Sequence, residues 1–152
     1  MWQTLARQIL ADGYEPVVTW GDAVEQTRAR SIAQASGATL QDRVSIGELG
    51  FLLAQAAAVI GVDSGLCHYS AALGTPTLGL YGSTDGQLTG CRGQKAGLLQ
   101  AATHCSPCLR KTCRNFRGEI PIWQDQPVNP PCFADLPPDV VWQKAQKLMA
   151  AD

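Results

Sequence analysis

The sequence predicts an α/β domain built on a doubly wound parallel sheet. Three observations carry that expectation. Helical and strand-like patterns alternate from residue 2 to residue 81, which is the signature of βαβ units. One strand-like run passes directly into a helix through Asp63-Ser64-Gly65, and the next ends on the loop Gly82-Ser83-Thr84-Asp85-Gly86. The chain closes on an amphipathic helix opened by Pro137-Pro138.

Element by element, Trp2, Leu5, Ala6, Ile9 and Leu10 recur at helical spacing, and Gly13 follows where a helix end favours a residue free to take positive φ. Glu15 to Trp20 reads as a short strand closed by Gly21-Asp22. A polar, alanine-rich helix is expected from about Ala23 to Ala35, ending at Ser36-Gly37, with a weak strand at Ala38-Thr39-Leu40. Ser45 and Glu48 have the spacing of a capping box, which predicts a helix from there to about Ala57. Ala58 to Val62 is an unbroken apolar run of the kind found in a strand covered on both faces. A short helix, Leu66 to Leu73, stops at Gly74, and Thr75 to Tyr81 forms the next strand. From about 91 to 136 the periodicity fades into Gly, Pro, Cys and basic residues. A stretch that long and irregular must be functional, pinned or mobile. Val140, Val141, Ala145, Leu148 and Met149 then give the last helix its core-facing stripe.

At 152 residues the chain suffices for one domain with a sizeable core, and two full domains would not fit. A hydrophobic content of 45% with a net charge of -1 excludes the low-hydrophobicity, high-charge profile of disordered chains. That charge also offers no positive field for a nucleic acid, so none is expected as a partner. The longest apolar runs are broken by Gln55 and Asp63 and fall short of a bilayer span. The N-terminus has neither a long apolar leader nor a small-residue cleavage site, and the chain reads as cytoplasmic and reduced.

In open α/β sheets, ligands sit beyond the carboxyl ends of the strands, where helix N-termini present unpaired amides. The loop at Asp63, Ser64, Gly65, Leu66 and His68 is the most informative of those expected there. Gly65 allows an oxyanion close to the backbone, Ser64 adds a hydroxyl, and His68 lies about one helical turn on. Asp63 would either cap the helix or accept hydrogen bonds from sugar hydroxyls. Thr84 and Asp85 repeat the arrangement one strand later, on what should be the same edge. Trp20 could wall a base, or be an ordinary core tryptophan. Either loop also fits a plain capped turn.

Cys105, Cys108, Cys113 and Cys132 leave three readings open: packing thiols, a disulfide, or a structural zinc site whose spacing is not a clean pair of Cys-x-x-Cys turns. Arg110, Lys111, Arg114 and Arg117 make that segment locally basic, fit for a solvated face, an anionic acceptor or a membrane surface.

The run from Gly61 to Asp85 combines Asp63-Ser64-Gly65-x-x-His68, Ala71-Ala72-Leu73-x-x-Pro76 and Leu80-Tyr81-Gly82-x-Thr84-Asp85. That combination resembles the lipopolysaccharide heptosyltransferases, the ADP-heptose-dependent glycosyltransferases of family 9, and the heptosyltransferase I branch most. The opening helix, the strand into Trp20-Gly21 and the closing helix extend the likeness over most of the chain. The resemblance implies a Rossmann-like domain, the C-terminal half of a GT-B glycosyltransferase, spanning residues 1–152 with the acceptor domain absent. It implies inverting, metal-independent transfer of heptose from ADP-heptose to the Kdo region of the lipopolysaccharide inner core. That transfer would take place at the cytoplasmic side of the inner membrane, with peripheral contact to it and no cofactor.

By the same resemblance Asp63, Ser64, Gly65, Leu66 and His68 contact diphosphate and sugar, Thr84 and Asp85 complete the pocket, and Trp20, Gly21 and Glu25 border the adenosine. No catalytic residue is assigned to this chain; the base belongs to the acceptor domain, so the chain alone is expected to be inactive. Ala23 stands where the family often has an acidic residue for a ribose hydroxyl, leaving Asp22 or Glu25 to take that place. Two alternatives stay open: a non-catalytic nucleotide-binding or interaction module, and the donor domain of another GT-B nucleotide-sugar enzyme, since fold does not determine the sugar.

Overall fold

The computed structural model describes residues 1–113, 122–123, 126–128 and 130–151. Helix α1 (Trp2–Ala11) turns Thr4, Leu5 and Ala6 inward, and Gly13 follows at φ 85°. Strand β1 (Val17–Val18) is shorter than its apolar run, and β2 (Thr39–Leu40) pairs with it in parallel, Val17 opposite Thr39. Between them runs α2 (Ala23–Ser36), capped by the Asp22 carboxylate and ended by Gly37 at φ 84°. The capping box of α3 (Ile46–Gln55) forms as its spacing predicts: the Glu48 amide donates to Ser45 Oγ at 3.3 Å, and the Ser45 amide to Glu48 Oε2 at 2.8 Å.

A three-stranded parallel sheet carries the rest, in the order β3 (Val59–Val62), β4 (Thr77–Tyr81), β5 (Ala96–Gln100). Helix α4 (Gly65–Ala72) crosses from β3 to β4, and the short α5 (Gly86–Thr89) lies between β4 and β5. Beyond them come a two-stranded antiparallel pair, β6 (Ile122–Trp123) and β7 (Gln126–Pro127), a 3-10 turn at Pro131–Asp135 and α6 (Pro138–Met149). The parallel strands thus form two sheets, of two and three strands.

Period-two alternation along β4 sorts the two faces of the larger sheet. Leu78 and Leu80 point into the main core with Leu5 of α1, Ala101, Leu136, and Val141, Trp142 and Ala145 of α6. Burying each leucine stabilises the fold by about 1.5–3 kcal/mol. Thr77, on the opposite face, donates its buried hydroxyl to Ser70 Oγ of α4 at 2.8 Å. Helices therefore cover both faces. The chain's two ends meet where Trp142 Nε1 donates to Asp12 Oδ2 at 2.6 Å and the Trp142 ring packs edge-on to Tyr14.

Two expectations need correcting. The apolar run at 58–62 is not fully buried: β3 is an edge strand, half-buried, with Val62 at 39% exposure, and β4 in the centre takes the fully buried place. Nor is the stretch 91–136 irregular throughout, because β5 extends the sheet on the far side of β4. Its sequence, Ala96-Gly97-Leu98-Leu99-Gln100, has no β-branched or aromatic residue to announce a strand. Gly97 is there for space: a Cβ at that position would lie 3.0 Å from Leu148 of α6.

Candidate functional site

Parallel pairing of Val62 with Leu80, and of Tyr81 with Gln100, places the carboxyl ends of β3, β4 and β5 on one edge. The bend at Asp63-Ser64 and the loop Gly82–Asp85 therefore open on the same rim. A direct bond joins them. Thr89 Oγ1, at the end of α5, donates to Asp63 Oδ2 at 3.0 Å and also lies 3.1 Å from the Asp85 carbonyl oxygen.

Helix α4 begins at Gly65 with Ser64 as its N-cap, in extended conformation, and no side chain caps it. Among the described residues the Gly65 and Leu66 amides donate to no protein acceptor, while that of Cys67 donates to the Ser64 carbonyl. A Cβ at Gly65 would meet nothing within 4 Å, so the backbone there faces open space. Asp63 does not take the capping role that the sequence allowed it. Its carboxylate is shared instead between Thr89 and His68, whose Nε2 stands 3.9 Å from Asp63 Oδ1. His68 is about half exposed and Asp63 largely covered. Cys67, buried beneath them, donates its thiol to the Val62 carbonyl at 3.2 Å. Burial pushes that thiol up to about 11, with Cys91 and Asp63 nearby adding to the rise and a Ser64 hydrogen bond opposing it.

The second loop is shaped from below. A Cβ on Gly82 would lie 2.7 Å from Cys132 Sγ and 2.8 Å from the Phe133 ring, so only glycine lets the chain pass. Asp85 caps α5, accepting from the Gln87 amide at 2.8 Å, which spends one carboxylate oxygen on structure. Gln100, from the end of β5, reaches under the loop and meets the Tyr81, Gly82 and Thr84 carbonyls, the Gly86 amide and Ser106 Oγ. The Tyr81 ring is fully buried between Gly79 and Gly86, its hydroxyl accepting from the Cys91 amide at 3.1 Å. Burial is the main reason its pKa is pushed up to about 12.

Trp20, Gly21 and Glu25 form a neighbourhood of their own. The half-buried Trp20 donates Nε1 to the Gln41 carbonyl at 2.8 Å, which holds its ring against the end of β2. Gly21 N donates to Glu25 Oε2 at 2.7 Å and Glu25 N to Asp22 Oδ1 at 2.8 Å. Both carboxylates left to replace the residue at Ala23 are thus engaged in holding their own turn. No hydrogen bond among the described residues ties this group to the rim at 63–89.

All six cysteines are free thiols, so no disulfide forms. Burial chiefly raises the Cys132 pKa, and the neighbouring Cys108, Cys113 and Cys105 add to it. Among the described residues no three His, Cys, Asp or Glu side chains form a group that could hold one metal ion. Arg110 and Lys111 are exposed; Arg114 and Arg117 lie outside the described residues.

Sequence reasoning missed Thr89, Gln100 and Ser106. Thr89 had no motif to mark it, and Gln100 becomes visible as a rim residue only once β5 is recognised as a strand.

Residues 1–117 match the family model described as glycosyltransferase family 9 (heptosyltransferase). The chain is 34% identical over 156 residues to lipopolysaccharide heptosyltransferase 1 of Pseudomonas aeruginosa, covering 99% of this chain and 43% of that protein. It is 35% identical over 94 residues to the heptosyltransferase 1 of Salmonella typhimurium, covering 61% of this chain and 30% of that one. Among solved structures, E. coli heptosyltransferase WaaC with ADP matches at TM-score 0.61 and 31% identity, over 64% of this chain and 31% of that chain. The structure of E. coli ADP-heptose lps heptosyltransferase II matches at TM-score 0.72 and 20% identity over 98% and 40%, a likeness of fold alone. The chain spans less than half the length of these relatives.

Proposed function

Because this chain belongs to glycosyltransferase family 9, the heptosyltransferases, we propose that it is the donor-binding part of an enzyme moving heptose from ADP-heptose to the Kdo region of the lipopolysaccharide inner core. The observation that carries this reading is the single rim on which the uncapped start of α4 and the Gly82–Asp85 loop are tied together by Thr89 and Asp63. The relative solved with ADP, 31% identical to this chain, supports an adenine-nucleotide ligand.

In this reading the donor diphosphate lies against the amides of Ser64, Gly65 and Leu66, where the helix dipole favours negative charge. His68 stands one turn further along α4, where its imidazole N–H can donate to the phosphate. Asp63 keeps the imidazole company and offers its remaining lone pairs to sugar hydroxyls. Thr84 and Asp85 close the sugar side, and Trp20, Gly21 and Glu25 border the adenosine.

Transfer breaks the bond between the anomeric carbon and the diphosphate as an acceptor hydroxyl attacks the opposite face, inverting the centre. The departing diphosphate gains charge in the transition state, and donors already aimed at it lower the barrier without reorganisation. These residues would supply that half of the catalysis without a metal. The base that takes the acceptor's proton is assigned to the part of the relatives' length that this chain does not span, so the chain alone is expected to bind donor and not to turn over.

Among the described residues no helix is long and apolar enough to cross a membrane. In this reading the reaction takes place on the cytoplasmic side of the inner membrane, where the exposed Arg110 and Lys111 would favour an anionic surface.

Calorimetric titration with ADP-heptose, ADP and UDP tests the donor assignment. Binding of both adenine ligands, with UDP at least about tenfold weaker, is expected. Equal binding of UDP, or none of ADP-heptose at millimolar concentration, would overturn it.

A further inference from the structure

We propose that Gln100 is the positioning residue of the donor pocket: one side-chain amide gathers the carbonyls of the Gly82–Gly86 loop and so aims the loop's own amides at the ligand. The inference rests on the donor-binding reading above and adds to it the device that holds the second loop ready.

Gln100 ends β5, and its Nε2 lies 3.2 Å from the Tyr81 carbonyl oxygen, 3.3 Å from that of Gly82, 3.1 Å from that of Thr84 and 2.8 Å from Ser106 Oγ. Its Oε1 accepts from the Gly86 amide at 3.0 Å. Ser106 donates its hydroxyl to the Gly82 carbonyl at 2.7 Å, and the Leu109 amide donates to the Ser83 carbonyl at 2.7 Å. The carbonyls of Gly82, Ser83 and Thr84 are therefore all held, each by a donor from outside the loop.

In a planar trans peptide the carbonyl of one residue and the amide of the next point in opposite directions. Fixing those three carbonyls turns the N–H groups of Ser83, Thr84 and Asp85 away from Gln100, Ser106 and Leu109. None of those three amides donates to a protein acceptor among the described residues, whereas the next ones, Gly86 and Gln87, both do. Successive backbone amides turned one way form a concavity that suits the oxygens of an anion. A half-buried glutamine fits this task for a reason of chemistry: it is a neutral side chain that donates from one end while accepting the Gly86 amide at the other. A carboxylate in its place would face three carbonyl oxygens with no proton to offer.

The segment 101–109 is drawn in by the same argument. Ser106 and Leu109 complete the support, which gives this part of the irregular stretch a role at the rim.

The test is titration of the wild-type chain, Gln100→Glu, Gln100→Leu and Ser106→Ala with adenosine and with ADP, alongside thermal melts. The gain in affinity from adenosine to ADP isolates the diphosphate contacts. That gain is expected to fall about tenfold in both Gln100 variants and about threefold in Ser106→Ala, with adenosine affinity unchanged. General loosening of the fold would weaken adenosine and ADP alike. Ser106→Ala gives the readout should the Gln100 variants fail to fold. A wild-type chain that gains from the diphosphate, and variants that keep the whole gain, would overturn the role of Gln100 alone. A wild-type chain with no gain at all would overturn the donor-binding reading and this inference with it.

Discussion

Thr89 donates its hydroxyl to the carboxylate of Asp63, 26 residues earlier, and this single 3.0 Å bond spans the two loops at the carboxyl edge of the sheet. The bond is local to neither loop. It exists because β3 and β4 run parallel and adjacent, which brings the residue after one strand beside the short helix after the next.

Replacing Thr89 by valine keeps the shape of the side chain and removes the donor. Because Thr89 is exposed, the fold should lose no more than about 1 kcal/mol. ADP-heptose affinity should fall about threefold to tenfold as Asp63 loses one of its two anchors. Denaturant unfolding and calorimetry on the same preparation separate the two effects.

His68→Ala should weaken ADP binding about tenfold while leaving adenosine binding as it was, since a charge-assisted contact to phosphate is lost and none to the base. The wild-type advantage should shrink as salt is raised, because the contact is half exposed and the phosphate charge it meets is screened. Titrations at low and high ionic strength check both.

Two glycines on these elements should respond in opposite ways. At Gly79 a Cβ would lie 2.6 Å from the buried Tyr81 ring, so Gly79→Ala forces repacking in the sheet and should cost about 1–3 kcal/mol. Gly65 meets nothing within 4 Å, and alanine there should leave stability unchanged or raise it by about 0.5–1 kcal/mol. The same methyl would stand where an oxyanion approaches, so Gly65→Ala should bind ADP less well despite folding at least as well. Unfolding curves and ADP titrations of both variants read out the contrast.

The buried thiol of Cys67 ties stability to alkaline pH. Its pKa rises from an ordinary 9 to about 11 in the folded chain, so the native state holds its proton more tightly than the unfolded state. Stability from this source is complete below pH 9 and lost as pH rises through 11. Cys67→Ala should be less stable at neutral pH, from the cavity, yet show a flatter decline between pH 9 and 11. Alkylation at pH 8 should modify the exposed Cys113 long before Cys67.

Most of the architecture was legible where local chemistry and tertiary need agree. The capping box at Ser45 and Glu48, the positive-φ glycines 13, 37 and 74, and the alternation that places α4 between β3 and β4 follow from residue types that have few other uses. β5 was not legible, because Ala, Gly and Leu carry no strand preference and the strand forms on the template of β4. Burial was misread for a related reason: the apolar run at 58–62 says that a strand is present, and only the sheet order says that it lies at the edge. At the candidate rim, Asp63, Ser64, Gly65 and His68 stand out in the sequence because a strand-to-helix turn compresses them into one motif. Thr89 and Gln100 reach the same rim from distant segments, and that convergence has no trace in spacing. Trp20 and Glu25 stand out by residue type alone, and the structure adds that their polar atoms are engaged by Gln41 and Gly21.

Backbone NMR during an ADP titration measures most directly whether the two loops serve one ligand. The amides of Ser64, Gly65, Leu66 and His68 and those of Ser83, Thr84 and Asp85 should shift together and saturate at the same ADP concentration. Shifts confined to one loop, two loops saturating at different concentrations, or no shift in either at millimolar ADP would contradict a shared diphosphate site.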